Sequence, residues 1–432
     1  MDNSIKPVTG LEYTLPAGES KAPSGKGGKQ VSPSIRDRVS SSGKFGNAPA
    51  LSGPGSAATG PKISAGPKAV DPAGMIRADL ARERFGVSGK GQTAVIIDTG
   101  FERHGIKLKH WEDFSVEKSP APVDHDGHGT HVAGDLQKIA PQAKIVALKI
   151  FDREGFARQS ALIEALQWSL ENKDRCGIGV INISLETLPN DSLSQALAKV
   201  HRAGITVVVG AGNGYDRIFA PADSPHAITV ASARDEKTVS SFSKRGGAEL
   251  GAPRPDLAAP GENIEAWVPP DSQMMEKAGQ VDELRGLEGK AAWNFVKSHP
   301  KVKEEIPLPV SCIFRSGEKK GAYAKEHLPQ ISQTAPGKVA SCGTSFASPL
   351  VAGVALLLKE ADPGLTPEQV GEILKRSARP MGKGFSSRDR GAGFVDAEKA
   401  LELALERKEK KSALPGVYFS DDCGKMRKEE QR

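Results

Sequence analysis

Cysteine is scarce. Four residues, Cys176, Cys312, Cys342 and Cys423, in a chain of 432 are too few for a disulfide scaffold. Aromatic residues make up only 5% and are not interleaved with the basic ones, so a dedicated nucleic-acid surface is not expected. A net charge of +6 is mild and spread along the chain. No apolar run approaches the roughly 18–20 residues that cross a bilayer; the longest lies around Leu350–Leu358. The opening MDNSIKPVTGLEYTLPAGES lacks an apolar h-region, so no Sec-type signal peptide is visible. A cytoplasmic home is the expectation, with export by a non-Sec route as the alternative.

What the chain does have changes along its length. Residues 1–72 are rich in Gly, Ser, Pro and Lys and lack apolar periodicity, so they are read as a disordered segment without strands. Short β-branched runs then alternate with helical patterns. The runs are TAVIID (93–98), AKIVALKI (143–150), GVINIS (179–184), ITVVVGA (205–211) and AITVAS (227–232). Helices are expected near Ser160–Asn172 and Ser192–Arg202, and Thr366-Pro367-Glu368-Gln369 reads as a helix start. The alternation predicts an α/β fold of three layers, with a mostly parallel sheet between helices. Residues 73–406 form one domain in this reading, with residues 407–432 as a charged tail.

Chemistry in such sheets gathers beyond the carboxyl ends of the strands. Asp98 ends one strand, and Asn213 follows another through Ala211-Gly212. Between them, HDGHGTHVAG brings His128 to the start of an apolar helix, and SCGTSFASPLVAG brings Ser345 to the start of a second. A serine there is either a helix cap or a nucleophile, and it needs partners to be the latter. An imidazole to take its proton, a carboxylate to orient that imidazole and a donor for the oxyanion complete the set. Ser345, His128, Asp98 and Asn213 fill these roles.

The sequence resembles the subtilisin-like serine peptidases, whose order is Asp, His, Ser. The matching stretches are Asp98-Thr99-Gly100, His128-Gly129-Thr130-His131-Val132-Ala133-Gly134, Ala211-Gly212-Asn213 and Gly343-Thr344-Ser345-Phe346-Ala347-Ser348-Pro349. They span residues 75–265 and 340–405. The resemblance implies a serine endopeptidase acting on polypeptides through an acyl-enzyme. In it Ser345 attacks, His128 is base and then acid, Asp98 orients the ring and Asn213 holds the oxyanion. It also implies substrate contacts from Ser184, Leu185, Glu186, Ala211 and Gly212. His131 is read as a packed helix residue, and His125 and Asp126 as loop residues. Two rivals are a metal hydrolase built on His125, His128 and His131, and a catalytically idle binding module on the same scaffold. The first lacks the glutamate that zinc peptidases place between two histidines.

Departures from the family pattern matter as much. Only Asp135-Leu136-Gln137-Lys138-Ile139-Ala140 separates Gly134 from Pro141, too little for the oxygen-rich loop that holds a calcium ion in many subtilisins. No cofactor or metal is therefore expected there, and calcium elsewhere is open. Glu186 stands where glycine is common, beside the pocket for the residue preceding the cleaved bond. It either favours basic residues by charge complementarity or points to solvent and narrows the cleft. Phe346 replaces a common methionine and reads as core packing or as removal of an oxidisable thioether. An insertion at about 267–339 hangs beside Ser345 and is expected to shape the cleft, dock a partner, cover the site or serve as neutral elaboration. Its IPLPVSCIF run is a candidate strand, and Cys312 either pairs with Cys342 or stays a free thiol. Finally, an N-terminal piece such as LEYTLPAG is a candidate to lie in the cleft and be cut there.

Overall fold

A computed structural model describes residues 4–7, 68–102, 104–214, 217–246, 254–306 and 315–413. The LEYTLPAG stretch, the IPLPVSCIF run from residue 307 onward, Cys312 and Cys423 lie outside the described residues. In chain order the strands are β1 (Ser4–Pro7), β2 (Thr93–Asp98), β3 (Leu108–Asp113), β4 (Lys144–Lys149), β5 (Ala157–Arg158), β6 (Ile178–Ile183) and β7 (Leu185–Glu186). They continue with β8 (Thr206–Gly210), β9 (Ile228–Asp235), β10 (Thr238–Val239), β11 (Leu257–Pro260), β12 (Ile264–Trp267), β13 (Ile331–Ala335) and β14 (Lys338–Ser341).

The main sheet runs β10-β9-β8-β6-β2-β4-β3, with β11 also on β9, and only β10 is antiparallel to its neighbour. Its strands are apolar throughout because both faces are covered. In β2, Ala94 and Ile96 pack into one core while Val95 and Ile97 pack into the other, as a period of two requires. The first core takes the helices His128–Ile139, Thr344–Ala361, Pro367–Ser377 and Ala397–Ala413. The second takes Gln159–Glu171 and Asp191–Arg202. The three-layer expectation holds. The helix Thr344–Ala361 is long and apolar enough to cross a membrane, but 89% of it is buried inside the protein. It is a core helix.

Three features depart from the sequence reading. The helix Ala397–Ala413 runs past residue 406, and Lys408 Nζ donates to Ala361 O at 2.8 Å. The insertion leaves on β12 and returns on β14, which pair antiparallel, so both ends of the segment share one small sheet with β13. Its charged stretch near Ser272–His299 reads as helical from the sequence and does make two helices, Gln273–Gly286 and Gly289–Ser298, the first capped by Ser272. The third is β1, which the sequence reading had as strandless. Ser4–Pro7 pairs antiparallel with β5 on one side and β7 on the other. Four residues carry no periodicity of their own; the ladder comes from the two strands they meet.

Candidate active site

Strands β2, β6 and β8 are neighbours in the sheet, so their carboxyl ends lie side by side. This brings Asp98 at the end of β2, Ser184 just past β6 and Asn213 just past β8 to one edge. Asp98 is 2% exposed and His128 is fully buried. Asp98 Oδ1 lies 2.7 Å from His128 Nδ1 and also accepts from the Thr99 amide at 2.7 Å. His128 Nε2 is buried and has no hydrogen-bond partner among the described residues. Burial alone would lower the His128 pKa. The Asp98 carboxylate outweighs it by charge and hydrogen bond, with Asp126 and Asp124 behind, and the ring is held above its ordinary 6.5.

The loop before His128 is fixed by a residue the sequence reading passed over. Asp124 Oδ1 accepts from Thr99 Oγ1 and from the Gly127 amide, each at 2.9 Å. Its Oδ2 accepts from the Thr130 amide at 2.8 Å and Thr130 Oγ1 at 2.6 Å. Thr99 Oγ1 in turn accepts from the Gly129 amide at 2.9 Å, tying the end of β2 to the His128 helix. Gly129 itself has no room for a side chain: a Cβ there would stand 2.3 Å from Gly100 O. The insertion braces the same loop, since the Gln273 and Met274 amides donate to His125 O and Asp126 O at 2.9 and 2.8 Å.

Ser345 is the second residue of the helix Thr344–Ala361 and is fully buried. Amides at a helix start have no partner within the helix, so this is an electropositive position. Ser345 Oγ lies 3.4 Å from Ser184 O. Ser184 turns its own hydroxyl inward, donating to Ser345 O at 3.0 Å. Asn213 Oδ1 accepts from the Thr344 amide at 3.0 Å, which turns Nδ2 toward Gly343, where a Cβ would stand 3.3 Å from it. The Gly212 amide donates to Thr344 Oγ1 at 3.0 Å. Phe346 is fully buried between the two histidines of the helix His128–Ile139, its ring centroid 5.5 Å from His128 and 4.4 Å from His131.

A groove opens from this point between β5 and β7, and β1 lies in it as the middle strand. Leu185 is buried in the core, whereas Glu186 is half-buried and meets Lys244 Nζ with both carboxylate oxygens, at 3.0 and 2.8 Å. Ala211 donates its amide to Val230 O at 2.9 Å. The exposed Phe156 and Leu188 flank β5 and β7, and Phe156 with Val116, Ile150, Asp152 and Ala157 bounds a cavity of about 210 Å³.

The remaining candidates have other partners. His131 is fully buried; its Nδ1 meets Asp135 Oδ2 at 2.8 Å and its Nε2 faces Ile264 O and Val339 O, both at 3.1 Å. It pins the roots of the insertion, β12 and β14. His125 Nε2 lies 3.4 Å from Arg153. The three histidines thus diverge, and among the described residues no group of three His, Cys, Asp or Glu side chains is placed to hold a metal. Burial pushes the Cys342 thiol up to about 12, so it stays protonated and unreactive at neutral pH.

The chain has relatives among known proteases. The chain is 28% identical over 356 residues to the serine protease AprX of Bacillus subtilis (strain 168), an alignment covering 75% of this chain and 69% of that one. It is 27% identical to subtilisin Savinase of Lederbergia lenta, over 75% of this chain and 96% of that one. Among solved structures, fervidolysin from Fervidobacterium pennivorans, a keratinolytic enzyme related to subtilisin, matches with a TM-score of 0.53 at 22% identity. That match covers 76% of this chain but only 45% of fervidolysin, so it speaks for the fold alone. A model of the subtilase family matches residues 89–394, most of the chain. The chain belongs to the subtilase family and is a serine-type endopeptidase.

Proposed function

We propose that this protein hydrolyses peptide bonds through an acyl-enzyme formed on Ser345. One observation carries the reading: a buried Asp98–His128 hydrogen bond of 2.7 Å that leaves the imidazole Nε2 without a hydrogen-bond partner among the described residues. In the first half-reaction Ser345 Oγ attacks the scissile carbonyl while His128 Nε2 takes its proton. Asp98 holds Nδ1–H and stabilises the imidazolium. The oxyanion receives hydrogen bonds from the Ser345 amide and Asn213 Nδ2, and the imidazolium then gives its proton to the departing amine. In the second half a water loses its proton to the same nitrogen, attacks the ester and releases Ser345. These roles are those worked out for the family and are carried here residue by residue.

The polypeptide lies in the groove between β5 and β7, with Ser184, Leu185 and Glu186 along one wall and Ala211 and Gly212 next to Asn213 at the end that holds Ser345. A second reading concerns β1, because its pairing with both groove strands is that of a bound chain. Ser4–Pro7 competes with substrate for the groove, in place of the LEYTLPAG piece expected from the sequence. The insertion shapes the site by bracing the His128 loop. No calcium binds between Gly134 and Pro141, where the helix His128–Ile139 runs directly into a tight turn before β4.

Fluorophosphonate labelling of the full chain beside Ser345→Ala tests the central claim. Labelling of the parent alone is expected. A folded parent that fails to label would favour the idle scaffold instead.

A further inference from the structure

The residue donating the attacked carbonyl has a definite place, if Ser345 is the nucleophile. Its carbonyl must reach Ser345 Oγ with its oxygen toward Asn213. Its side chain then falls between the chain leaving Ser184 (Leu185 and Glu186) and the chain entering Asn213 (Ala211 and Gly212). Strand β1 gives the same level independently. Lys6 is opposite Glu186 and Pro7 opposite Leu185, so one further residue of an antiparallel ladder reaches Ser184, whose carbonyl is 3.4 Å from Ser345 Oγ.

That slot is bridged from wall to wall. Glu186 comes from one side, and Lys244 meets both its oxygens from the other. The pair lies against Gly212: a Cβ there would stand 2.6 Å from Glu186 Oε2 and 2.8 Å from Lys244 Cδ. Lys244 is fixed in place, 3% exposed, with its ammonium 4.6 Å from the Phe219 ring centroid and its amide donating to Gly212 O at 3.0 Å. A carboxylate held this way is not available to read a basic substrate residue, because doing so would strip a buried ammonium of its counter-charge.

We propose that the Glu186–Lys244 bridge sets the specificity of the peptidase, closing the slot so that a small uncharged residue precedes the cleaved bond. This rests on the serine-peptidase reading above. Two effects act together. The bridge occupies the volume a large side chain would need, and the Glu186 carboxylate is already met by Lys244 with both oxygens, so a cation gains little by entering. Discrimination by filled volume is worth about 10–200-fold per group that does not fit. Removing Glu186 opens the slot to larger residues.

The test uses four fluorogenic peptides differing only in the residue before the bond: Ala, Phe, Arg or Glu. Ratios of kcat/KM on the full-length protein are read, since competition from β1 divides out of a ratio. The unaltered protein is expected to favour Ala at least tenfold over each of the others. Glu186→Gly should raise the Phe-to-Ala ratio at least tenfold. Glu186→Gln keeps the volume and should retain the preference for Ala over Phe. A parent that cleaves the Arg or Phe peptide best overturns the proposal, as do unchanged ratios in Glu186→Gly. Fluorophosphonate labelling of each sample separates the two levels. Labelled protein with the wrong selectivity sinks the bridge alone, while unlabelled folded parent sinks the peptidase reading and the bridge with it.

Discussion

Two histidine–carboxylate pairs lie one turn apart at the start of the same helix, and they do different work. Asp98–His128 and Asp135–His131 have nearly equal lengths, 2.7 and 2.8 Å, and both rings are fully buried. The difference is at the other ring nitrogen. His131 Nε2 faces two backbone carbonyls, whereas His128 Nε2 has no partner among the described residues. A histidine with both nitrogens engaged is a rivet; one with a nitrogen left over can move a proton. Burial and a carboxylate partner are shared by both, so neither feature alone identifies the base.

The largest effects should fall on the first pair. In folded protein, His128→Ala should lower kcat by about 10⁶, the order found when this group is removed from a subtilisin. A loss under about a hundredfold in single-turnover kinetics would mean that His128 is not the base. Asp98→Asn should cost about 10⁴. It should also move the acid limb of the pH–rate profile. Because Asp98 helps hold His128 above 6.5, activity in the parent is lost as pH falls through a value higher than that. Without the carboxylate charge the imidazole stays neutral to lower pH, so the midpoint shifts down even as the rate drops. An unmoved midpoint would assign the limb to another group.

The second pair should answer in stability. Asp135 is buried, and burial alone would raise its pKa, but the charges of His131 and Lys138 win and hold it below 3.8. A carboxyl lowered on folding contributes stability above its unfolded pKa, and that contribution is lost as pH falls through the lower folded value, here below about pH 4. Asp135→Asn removes the buried carboxylate that meets both His131 and Lys138 and should cost about 3–5 kcal/mol at neutral pH by denaturant unfolding. Folded protein should still label with fluorophosphonate. A stable but unlabelled variant would erase the distinction between the pairs.

How much of this was legible in the chain depends on whether the cause is local. β2 was readable to its ends because every residue from Thr93 to Asp98 is buried, which demands an unbroken apolar run. The capping box at Thr366 was readable because its partner, Gln369, is three residues away. The positions of Asp98 and Asn213 at strand ends and of His128 and Ser345 at helix starts were readable from the motifs. Asp124 was not, although its signal is there in hindsight: an acid two residues before Asp126 in a glycine-rich loop, beside a Thr at position 130. Its partners come from two elements and only the fold brings them together. Glu186 was read as a free charge because Lys244, its partner, is 58 residues away. β1 was invisible for the same reason, since its hydrogen bonds all go to strands more than a hundred residues distant.

The smallest expected effect concerns how open the open nitrogen is. His128 Nε2 has no hydrogen-bond partner among the described residues, and β1 lies between β5 and β7, in the groove proposed to take the substrate. Among the described residues, Ser4–Pro7 are the ones that pair in this groove. A tethered segment acts at an effective concentration on the order of millimolar, comparable with ordinary KM values. Deleting residues 1–8 should therefore raise kcat/KM on a peptide substrate by about 2–10-fold and speed fluorophosphonate labelling by a similar factor. The unfolding midpoint should scarcely change, because β5 and β7 are already anchored to the core through Ala157 and Leu185. Equal rates with and without the segment would mean that β1 does not compete for the groove. A slower deletion variant would mean that the strand helps to build it. Intact mass of the active parent then decides whether the segment is a reversible occupant or a first substrate: retention of Met1 supports the former.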